Sequence, residues 1–174
     1  MCIRDSNKSA KTPKNQAKEK TKEPKPILDL KVQKDQEIAL QKMRNSQYDS
    51  LSGKDILALE SLMNRKPIDA SDSTNQLTAG SIIIYRTTRK LVGKMEILEA
   101  GHVTKVRTTN YDKFGEKPYQ VVPMMHLNPM QSYDLDYVKE SIVDRDFMWE
   151  PKTMQWRFFV PKNKAKFFFV TKKS

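Results

Sequence analysis

The chain of 174 residues has one cysteine, two histidines and no long apolar run. With Cys2 as its single cysteine, the chain can form neither an internal disulfide nor a zinc site built from several thiolates. No stretch approaches the roughly 20 apolar residues that a membrane-spanning helix needs. Only 37% of the residues are hydrophobic and 30% are charged, so we expect part of the chain to lie outside any folded core.

Sequence motifs of known catalytic chemistry are missing as well. His102 and His126 stand apart from each other and from any metal-binding motif, and isolated histidines of this kind are usually loop or surface residues. The Gly-Lys pair at 53–54 is not a phosphate loop, because Asp55 stands where a serine or threonine would hold magnesium. The sequence therefore predicts no catalytic residue, no cofactor and no enzyme activity. A catalytic site assembled only by the fold is the open alternative.

The most acidic stretch of the chain lies between residues 134 and 150. Hard cations such as calcium bind several closely spaced carboxylates, so this stretch is the natural candidate for a metal site. Its spacing does not match a calcium loop, because no glycine forms the sharp turn and Leu135 and Val138 interrupt the carboxylates. We therefore predict a solvated acidic face and no metal site. The carboxylates are those of Asp134, Asp136, Glu140, Asp144, Asp146 and Glu150.

Two segments precede any predicted fold. Residues 1–6 read like the translation of a DNA-sequencing adapter, so we expect them, Cys2 included, to be foreign to the protein. Residues 7–26 contain no leucine, isoleucine, valine or aromatic residue and are rich in lysine and proline. This composition predicts a disordered, extended spacer. A basic arm that binds nucleic acid is the alternative interpretation of the same lysines.

Residues 27–78 are predicted to form short helices and a linker. The alternation of apolar residues over 28–32 indicates a short edge strand, and good helix formers follow over 35–45. A clearer signal begins at Ser52, which stands three residues before a carboxylate, as in a capping box. Apolar residues at helical spacing then predict a helix near 53–65, and a polar linker completes the segment.

Residues 79–174 are predicted to form a β-domain. Three antiparallel strands occupy 81–111, because β-branched and aromatic residues fill three short runs separated by turns. The first strand is apolar on both faces, which is typical of a central strand. The second has one apolar and one solvated face, and the third is the most solvated. Gly93, within the second strand, indicates a bulge or a close backbone approach.

Further strands follow in the second half of the β-domain. Residues 119–125 read as a strand that Pro123 either places at a sheet edge or ends early. Residues 132–138 favour a strand over a helix because of their aromatic residues, and a final hairpin joins 154–160 to 166–171 through a lysine-rich turn. We therefore predict a mainly β fold, an antiparallel sandwich or open barrel of six or seven strands, after one or two short helices and the disordered basic tail.

The order of these motifs resembles a known type of domain. An apolar strand ends in Tyr85-Arg86-Thr87, a Gly-Lys pair accompanies the second strand, and a late tryptophan comes with a closing aromatic hairpin. Over about 79–172, this pattern resembles small bacterial β-domains to which no function is attached. The resemblance implies the β fold and assigns a role to no residue.

Positive charge is concentrated at the two ends of the chain, whose net formal charge is +11. The last 23 residues contain seven Lys/Arg, six aromatic residues and no Asp or Glu. Proteins that bind single-stranded nucleic acid stack bases on aromatic rings while cations contact the phosphates. The competing interpretation is that the rings close the hydrophobic core and the lysines form its solvated turn. The candidate polyanion-binding residues are Trp156, Arg157, Phe158, Lys162, Lys164, Lys166, Lys172 and Lys173.

These features favour a non-enzymatic structural or interaction domain whose partner is an unknown protein or surface polymer. A basic, proline-containing spacer is typical of domains held away from a membrane anchor. We therefore favour display in the bacterial cell envelope or periplasm over the cytoplasm. The alternative function is a nucleic-acid or polyanion-binding β-domain, whose binding would depend steeply on salt.

Overall fold

The computed structural model describes residues 27–69, 77–151 and 157–170. The predicted adapter segment, the predicted spacer and residues 171–174 lie outside these ranges. Within them the chain forms two α-helices and ten β-strands, arranged as two five-stranded antiparallel sheets with a helical layer over one sheet. The predicted architecture, mainly β, antiparallel and open, is confirmed. The strands outnumber the six or seven expected because several are only two or three residues long.

The first element of the described chain is a long helix, α1, Ile27–Arg44. The edge strand predicted over 28–32 is therefore wrong. Its alternating apolar side chains do not form a buried face, because Leu30 and Val32 are exposed. The lysine, glutamine and glutamate residues around them are good helix formers, and they continue the helix without a break.

The second helix, α2, Gly53–Ala58, begins at the predicted capping box. Ser52 Oγ accepts a hydrogen bond from the Asp55 N–H, and the Asp55 carboxylate accepts one from the Ser52 N–H. The α-helix ends sooner than predicted and is followed by a short 3-10 helix, Glu60–Leu62. The cap signal thus located the start of the helix correctly but not its end.

Sheet A contains the three strands predicted between 81 and 111. The strand order is β10-β2-β3-β4-β5, so four consecutive strands form hairpins and the last strand of the chain is added beside β2. β5 lies at the edge of the sheet, one of the two outcomes that its proline predicted, and it does not end early, because the strand continues past Pro123 to Leu127. The strands are β2 (Ile82–Arg86), β3 (Val92–Glu99), β4 (Thr104–Tyr111), β5 (Pro118–Leu127) and β10 (Lys166–Phe169).

Sheet B is built from shorter strands in the order β1-β9-β8-β6-β7. The stretch 132–138, predicted as a strand, is extended only over its first three residues and then turns back into β7. The strands are β1 (Ile68–Asp69), β6 (Ser132–Asp134), β7 (Lys139–Glu140), β8 (Phe147–Pro151) and β9 (Arg157–Pro161).

The final hairpin predicted from the sequence is wrong. β9 pairs with β1 and β8 in sheet B, whereas β10 pairs with β2 in sheet A. The turn at 162–165 therefore carries the chain from one sheet to the other. Phe159 and Phe167 then meet across the interior, with ring centroids 5.0 Å apart and planes at 70°. Alternation along a strand shows which side chains share a face, and it does not identify the partner strand.

Two hydrophobic cores lie on the two faces of sheet A. One fills the space between the sheets, and the other lies under the helices and the loop that joins them. β2 contributes to both, with Ile83 and Tyr85 in the first core and Ile82 and Ile84 in the second. The two apolar faces predicted for this strand are therefore confirmed.

The solvent exposure predicted for β3 and β4 is wrong. Lys94 and Glu96, on the face of β3 expected to be solvated, are buried, and only 3% of Lys94 is exposed. β4 is largely buried between its two neighbours. The bulge predicted as one reading of Gly93 is wrong, because β3 pairs there without a register shift. The close approach at Gly93 is made by side chains, because a Cβ there would lie 2.5 Å from Cζ of Tyr85 and 2.6 Å from Oδ1 of Asn110.

Candidate functional site

The longest free sheet edge in the described chain belongs to β5. Of the four outer strands, β1 and β7 have two residues each, β10 has four and β5 has ten. β10 is also partly covered, because Asn64 exchanges two backbone hydrogen bonds with Phe167. An open edge presents backbone N–H and C=O groups that can pair with an extended segment of another chain.

Two irregularities interrupt the pairing of β5 with β4. The register shifts between Val106 and Thr108 and again between Asn110 and Tyr111. Pro123, which has no N–H to donate, lies within the first shift and divides β5 into two short regular stretches. Prolines and bulges of this kind prevent indiscriminate association of sheet edges. The edge therefore suits a short partner segment better than a long one.

Three apolar side chains of β5 lie in solvent. Tyr119, Val121 and Met124 are 64%, 63% and 54% exposed. Val121 pairs with Thr109, whose hydroxyl lies 2.9 Å from that of Tyr48 in the helical layer. Val121 therefore lies on the helix-facing side of sheet A, but outside the area that the helices cover. Large exposed apolar side chains along one strand are typical of an interaction surface.

The loop before β5 adds positive charge to this edge. Lys113 and Lys117 are exposed, and neither forms an ion pair with a carboxylate among the described residues. The loop itself is ordered, because Asp112 accepts hydrogen bonds from the N–H groups of Phe114 and Glu116. β5 contains no Lys, Arg, Asp or Glu, so the nearest cations of the loop determine the charge at this end of the edge.

A cluster of three carboxylates is buried near the end of β6. Oxygens of Asp134, Asp136 and Asp146 lie within 4.8 Å of one another, and all three residues are buried. The predicted solvated acidic face is wrong for these three, because β8 brings Asp146 back beside the turn that follows β6. Glu140 and Asp144 are exposed, as expected of a solvated face.

Each carboxylate of this cluster already accepts hydrogen bonds. Asp146 accepts from the N–H groups of Thr88 and Leu135. Asp134 accepts from the Asp136 N–H, and Asp136 accepts from the Thr87 hydroxyl. The cluster therefore fixes two turns, one after β2 and one after β6. Three carboxylates are suitable ligands for a hard cation, but here their oxygens accept hydrogen bonds from backbone N–H groups and from the Thr87 hydroxyl.

Burial and nearby negative charge raise the pKa of two carboxyl groups in this cluster, Asp134 and Asp136. Burial raises the pKa of Asp136 to about 6, and the neighbouring Asp146 carboxylate adds to that effect, while the Thr87 hydrogen bond opposes it. Burial and Asp146 also raise the pKa of Asp134. A buried group of like charges lowers its energy by taking up a proton. The cluster can therefore gain a proton in mildly acidic conditions.

A small pocket connects the acidic cluster to the edge strand. It has a volume of about 240 Å³ and is lined by Arg89, Leu91, Tyr119, Asp136 and Tyr137. The Arg89 guanidinium lies 4.7 Å from the centre of the Tyr137 ring, and its Nε is 3.9 Å from Asp136 Oδ2. The pocket thus combines apolar walls with a cation at the start of β5. It suits a side chain of a segment bound along the edge.

A buried lysine lies on the other face of sheet A. Lys94 Nζ donates to the carbonyls of Tyr48 and Leu51 at 2.6 and 2.7 Å and stands 4.3 Å from the centre of the Tyr48 ring. Burial lowers the pKa of Lys94 to about 8. Such lysines are nucleophiles in some enzymes. Both contacts here are to the loop between the helices, so the side chain holds that loop on the sheet.

The predicted polyanion-binding residues do not form one surface. Lys162 Nζ lies 3.3 Å from the Glu150 carboxylate, so its charge is already paired. Lys164 and Lys166 are brought together in one pocket. Only the backbone of Arg157 and Phe158 is described, within β9, and Trp156, Lys172 and Lys173 lie outside the described residues.

The two histidines occupy separate places. The carbonyl of His102, in the turn before β4, accepts a hydrogen bond from Nε1 of Trp149 at 3.4 Å. His126 is exposed on β5 and pairs with Lys105 of β4. Neither belongs to the acidic cluster.

No helix in the described ranges is long and apolar enough to cross a membrane. Comparisons with protein-family models, curated proteins and solved structures found no match to this chain. The geometry of the sites is therefore the basis for any function assigned to this chain.

Sequence reasoning found the edge strand but not its exposed surface. Pro123 indicated an edge, and the apolar residues at 119, 121 and 124 could have been tested for exposure on that basis. The burial of Asp134, Asp136 and Asp146 was not predicted, because Asp146 reaches the other two carboxylates only through the pairing of β6 with β8. A signal was available in Asp134 and Asp136, which share a face if the strand is extended and lie among apolar residues.

Proposed function

We propose that this protein is a non-enzymatic interaction domain that binds a short extended segment of a partner protein along the outer edge of β5. The observation that carries the proposal is the contrast between this edge and the other three. β5 is ten residues long, open and apolar on its surface, whereas the other outer strands have two to four residues. Strand addition at an open edge is a common mode of peptide recognition.

A partner peptide is favoured over a second copy of this chain. Antiparallel pairing of two β5 strands would have to accommodate Pro123 and two register shifts in each copy. The β-domain is also positively charged, with seventeen Lys/Arg against ten Asp/Glu over 81–174, so two copies repel each other. A short segment can pair with one regular stretch of β5 and avoid both costs.

The chemistry of the edge describes the expected partner segment. Its backbone would pair with β5, and alternate side chains would contact Val121 and fill the pocket beside Tyr119. Lys113 and Lys117, which pair with no carboxylate of the described chain, favour carboxylates at one end of the segment. The expected ligand is thus an extended, partly apolar peptide with acidic residues beside its apolar ones.

Display in the bacterial envelope on the basic spacer is part of the same proposal. It is tested by sequencing the native gene upstream of codon 7 from source DNA, without an adapter-inserting method. A signal peptide, lipobox or membrane helix encoded there supports it. A plain start codon near Asn7 contradicts it and favours the cytoplasm.

The binding proposal is tested with a phage-displayed library of random 12-residue peptides selected on the wild-type protein. Enriched peptides are synthesised, and hydrogen exchange of the protein is measured with and without each one. We expect protection of backbone amides within 119–125, because strand addition turns exposed N–H groups into hydrogen-bonded ones. We also expect Val121→Lys to weaken binding about tenfold or more, since charges on edge strands oppose pairing.

The matched control is Ile142→Lys, which places the same charge at another exposed apolar residue, outside β5. It should leave peptide affinity unchanged. Failure to select any peptide, protection on another element, or equal weakening by the two variants contradicts the proposal. A concentration-dependent dimer in sedimentation experiments that Val121→Lys abolishes would assign the edge to a second copy instead.

A further inference from the structure

A second pocket lies at the opposite edge of sheet A from β5. It is formed where the end of β2 and the turn after it meet the start of β10 and the turn that joins the two sheets. Its volume is about 310 Å³. The lining includes Glu60, Arg86, Thr88, Lys90, Lys164 and Lys166.

The pocket contains more positive charge than its own carboxylate can balance. Arg86 forms an ion pair with Glu60. Lys90, Lys164 and Lys166 are exposed, and no ion pair joins any of them to a carboxylate in the described part of the chain. Three lysines therefore line one concave site, and no carboxylate in the described ranges pairs with them.

Two of the cations are held directly opposite each other. Arg86 of β2 and Lys166 of β10 are paired residues in the antiparallel ladder. Like charges in opposite positions of such a ladder destabilise it. Glu60 offsets part of this repulsion by pairing with Arg86, whereas none of the described carboxylates pairs with Lys166. An anion bound beside the Arg86 and Lys166 side chains would remove the remaining repulsion between these two cations.

The backbone that carries these cations is fixed in advance. The turn after β2 is closed by a hydrogen bond from the Thr87 N–H to the Leu91 carbonyl, and the buried Asp146 carboxylate accepts the Thr88 N–H. Lys90 has a φ of 71°, a left-handed conformation that asparagine or glycine adopts more readily than lysine. A lysine at this position is not explained by the turn itself. Preorganised cations bind an anion at a smaller entropic cost.

We propose that this pocket is a binding site for a phosphate monoester dianion. A phosphate monoester carries about −1.5 to −2 charges at pH 7 and three strong acceptor oxygens, which suit a pocket lined by three lysines that no described carboxylate pairs. A volume of about 310 Å³ holds one phosphate and a small ester group. A single-stranded nucleic acid would instead need a longer groove with stacking aromatic rings. The site goes beyond the peptide-binding proposal, because it lies at the other edge of the sheet.

The experiment is an NMR titration of the full chain at constant ionic strength, with phosphoserine as the probe. We expect saturable shifts at the amides of Thr88, Lys90 and Lys164. The double substitution Lys90→Gln with Lys164→Gln should weaken phosphoserine binding about tenfold or more, because charge-assisted hydrogen bonds to phosphate are lost. Glu60→Gln should strengthen binding, because it removes the one carboxylate of the pocket and frees Arg86. A gain of affinity cannot result from misfolding.

The matched control is Lys113→Gln with Lys117→Gln, which removes the same charge at the β5 side. Unchanged phosphoserine affinity in this variant supports the site. Equal weakening by the two double variants, or shifts that never saturate, overturn it in favour of diffuse attraction. A dT10 oligonucleotide distinguishes the sources of phosphate. Binding that requires a 5′-phosphate on dT10 supports the pocket, whereas equal binding without it, with shifts spread over the surface, overturns the proposal.

Discussion

The two faces of sheet A are both buried, but they are held by different means. Toward sheet B, the core is continuous and aromatic, and its main polar contact there is Tyr85 Oη donating to Asn110 Oδ1 at 2.7 Å. Toward the helices, the charged Lys94 lies in the middle of the interface and binds two loop carbonyls. The comparison indicates that the first face depends on close packing. The second depends on a few polar contacts whose loss would loosen the helical layer alone.

Neighbouring residues test this difference most directly, because 93 and 94 point to opposite faces of β3. We expect Gly93→Ala to have the largest effect, a loss of about 3 kcal/mol in the free energy of unfolding, because the new Cβ would overlap the buried Tyr85 ring. Urea denaturation measures it. Gly101→Ala is the control, because a Cβ there meets only the Val103 carbonyl, at 3.3 Å, and should change stability by less than about 0.5 kcal/mol. A loss equally small at Gly93 would mean that this core is not tightly packed.

Lys94→Met should have the next largest effect, a loss of about 2 kcal/mol, because the Tyr48 and Leu51 carbonyls each lose the short hydrogen bond from the ammonium group and keep only a longer one, from Leu51 N–H and Tyr111 Oη. Hydrogen exchange should become faster in α1 and α2 before it does in sheet A. Lys105→Met, on the neighbouring strand, is the control, since its ion pair with Glu99 is exposed. Uniformly faster exchange across the whole domain would contradict a separate helical layer.

The same substitution tests the pH dependence of this face. The pKa of Lys94 is about 8 in the folded state, below its ordinary value of 10.5, so between these values the unfolded state binds more protons. The stability of the wild type should therefore rise relative to that of Lys94→Met as pH increases from about 8 to 10. Parallel pH curves for the two proteins would mean that burial does not perturb the lysine.

Asp136→Asn should change the free energy of unfolding least of these substitutions, and it should stabilise the protein where the others destabilise it. The folded pKa of Asp136 is raised to about 6, so the wild type loses stability as pH rises from about 4 through 6, where the carboxyl ionises among like charges. The asparagine keeps an acceptor for the Thr87 hydroxyl and carries no charge, so at pH 8 it should stabilise the protein by about 1 kcal/mol. Thermal denaturation at pH 4 and pH 8 measures this effect. Asp144→Asn, at an exposed carboxylate, should change little at either pH. Destabilisation by Asp136→Asn at pH 8 would contradict net repulsion in the cluster and would mean that the contact of Asp136 with Arg89 Nε, at 3.9 Å, outweighs it.

Local signals in the sequence predicted local structure well. The alternation and β-branched content of 81–111 gave three correct strands, and Ser52 with Asp55 gave a correct helix start. Pro123 gave a correct edge. Each of these depends on residues within a few positions of one another, where backbone conformation and hydrogen bonding are decided by the sequence itself.

Features that depend on distant partners were not predictable in the same way. The aromatic residues of β9 and β10 looked like a hairpin, because nothing in their alternation shows that they belong to different sheets. Lys94 looked solvated, because the loop that buries it lies more than forty residues earlier in the chain. The cationic pocket joins Arg86 to Lys166, which meet only when β10 is added to sheet A. Tertiary contacts override local preference at all three places.

Because β10 pairs with β2, folding of this chain during translation depends on a strand that is synthesised late. Translation proceeds from the N-terminus, so the apolar strand Ile82–Arg86 leaves the ribosome long before Lys166–Phe169, which covers one of its edges. Until then a nascent chain exposes a β-branched segment with an unpaired side, the kind of surface that chaperones retain and that aggregates when they do not. We therefore expect a ribosome-stalled chain that ends before residue 157 to stay bound to chaperones, and release to coincide with emergence of the last strand.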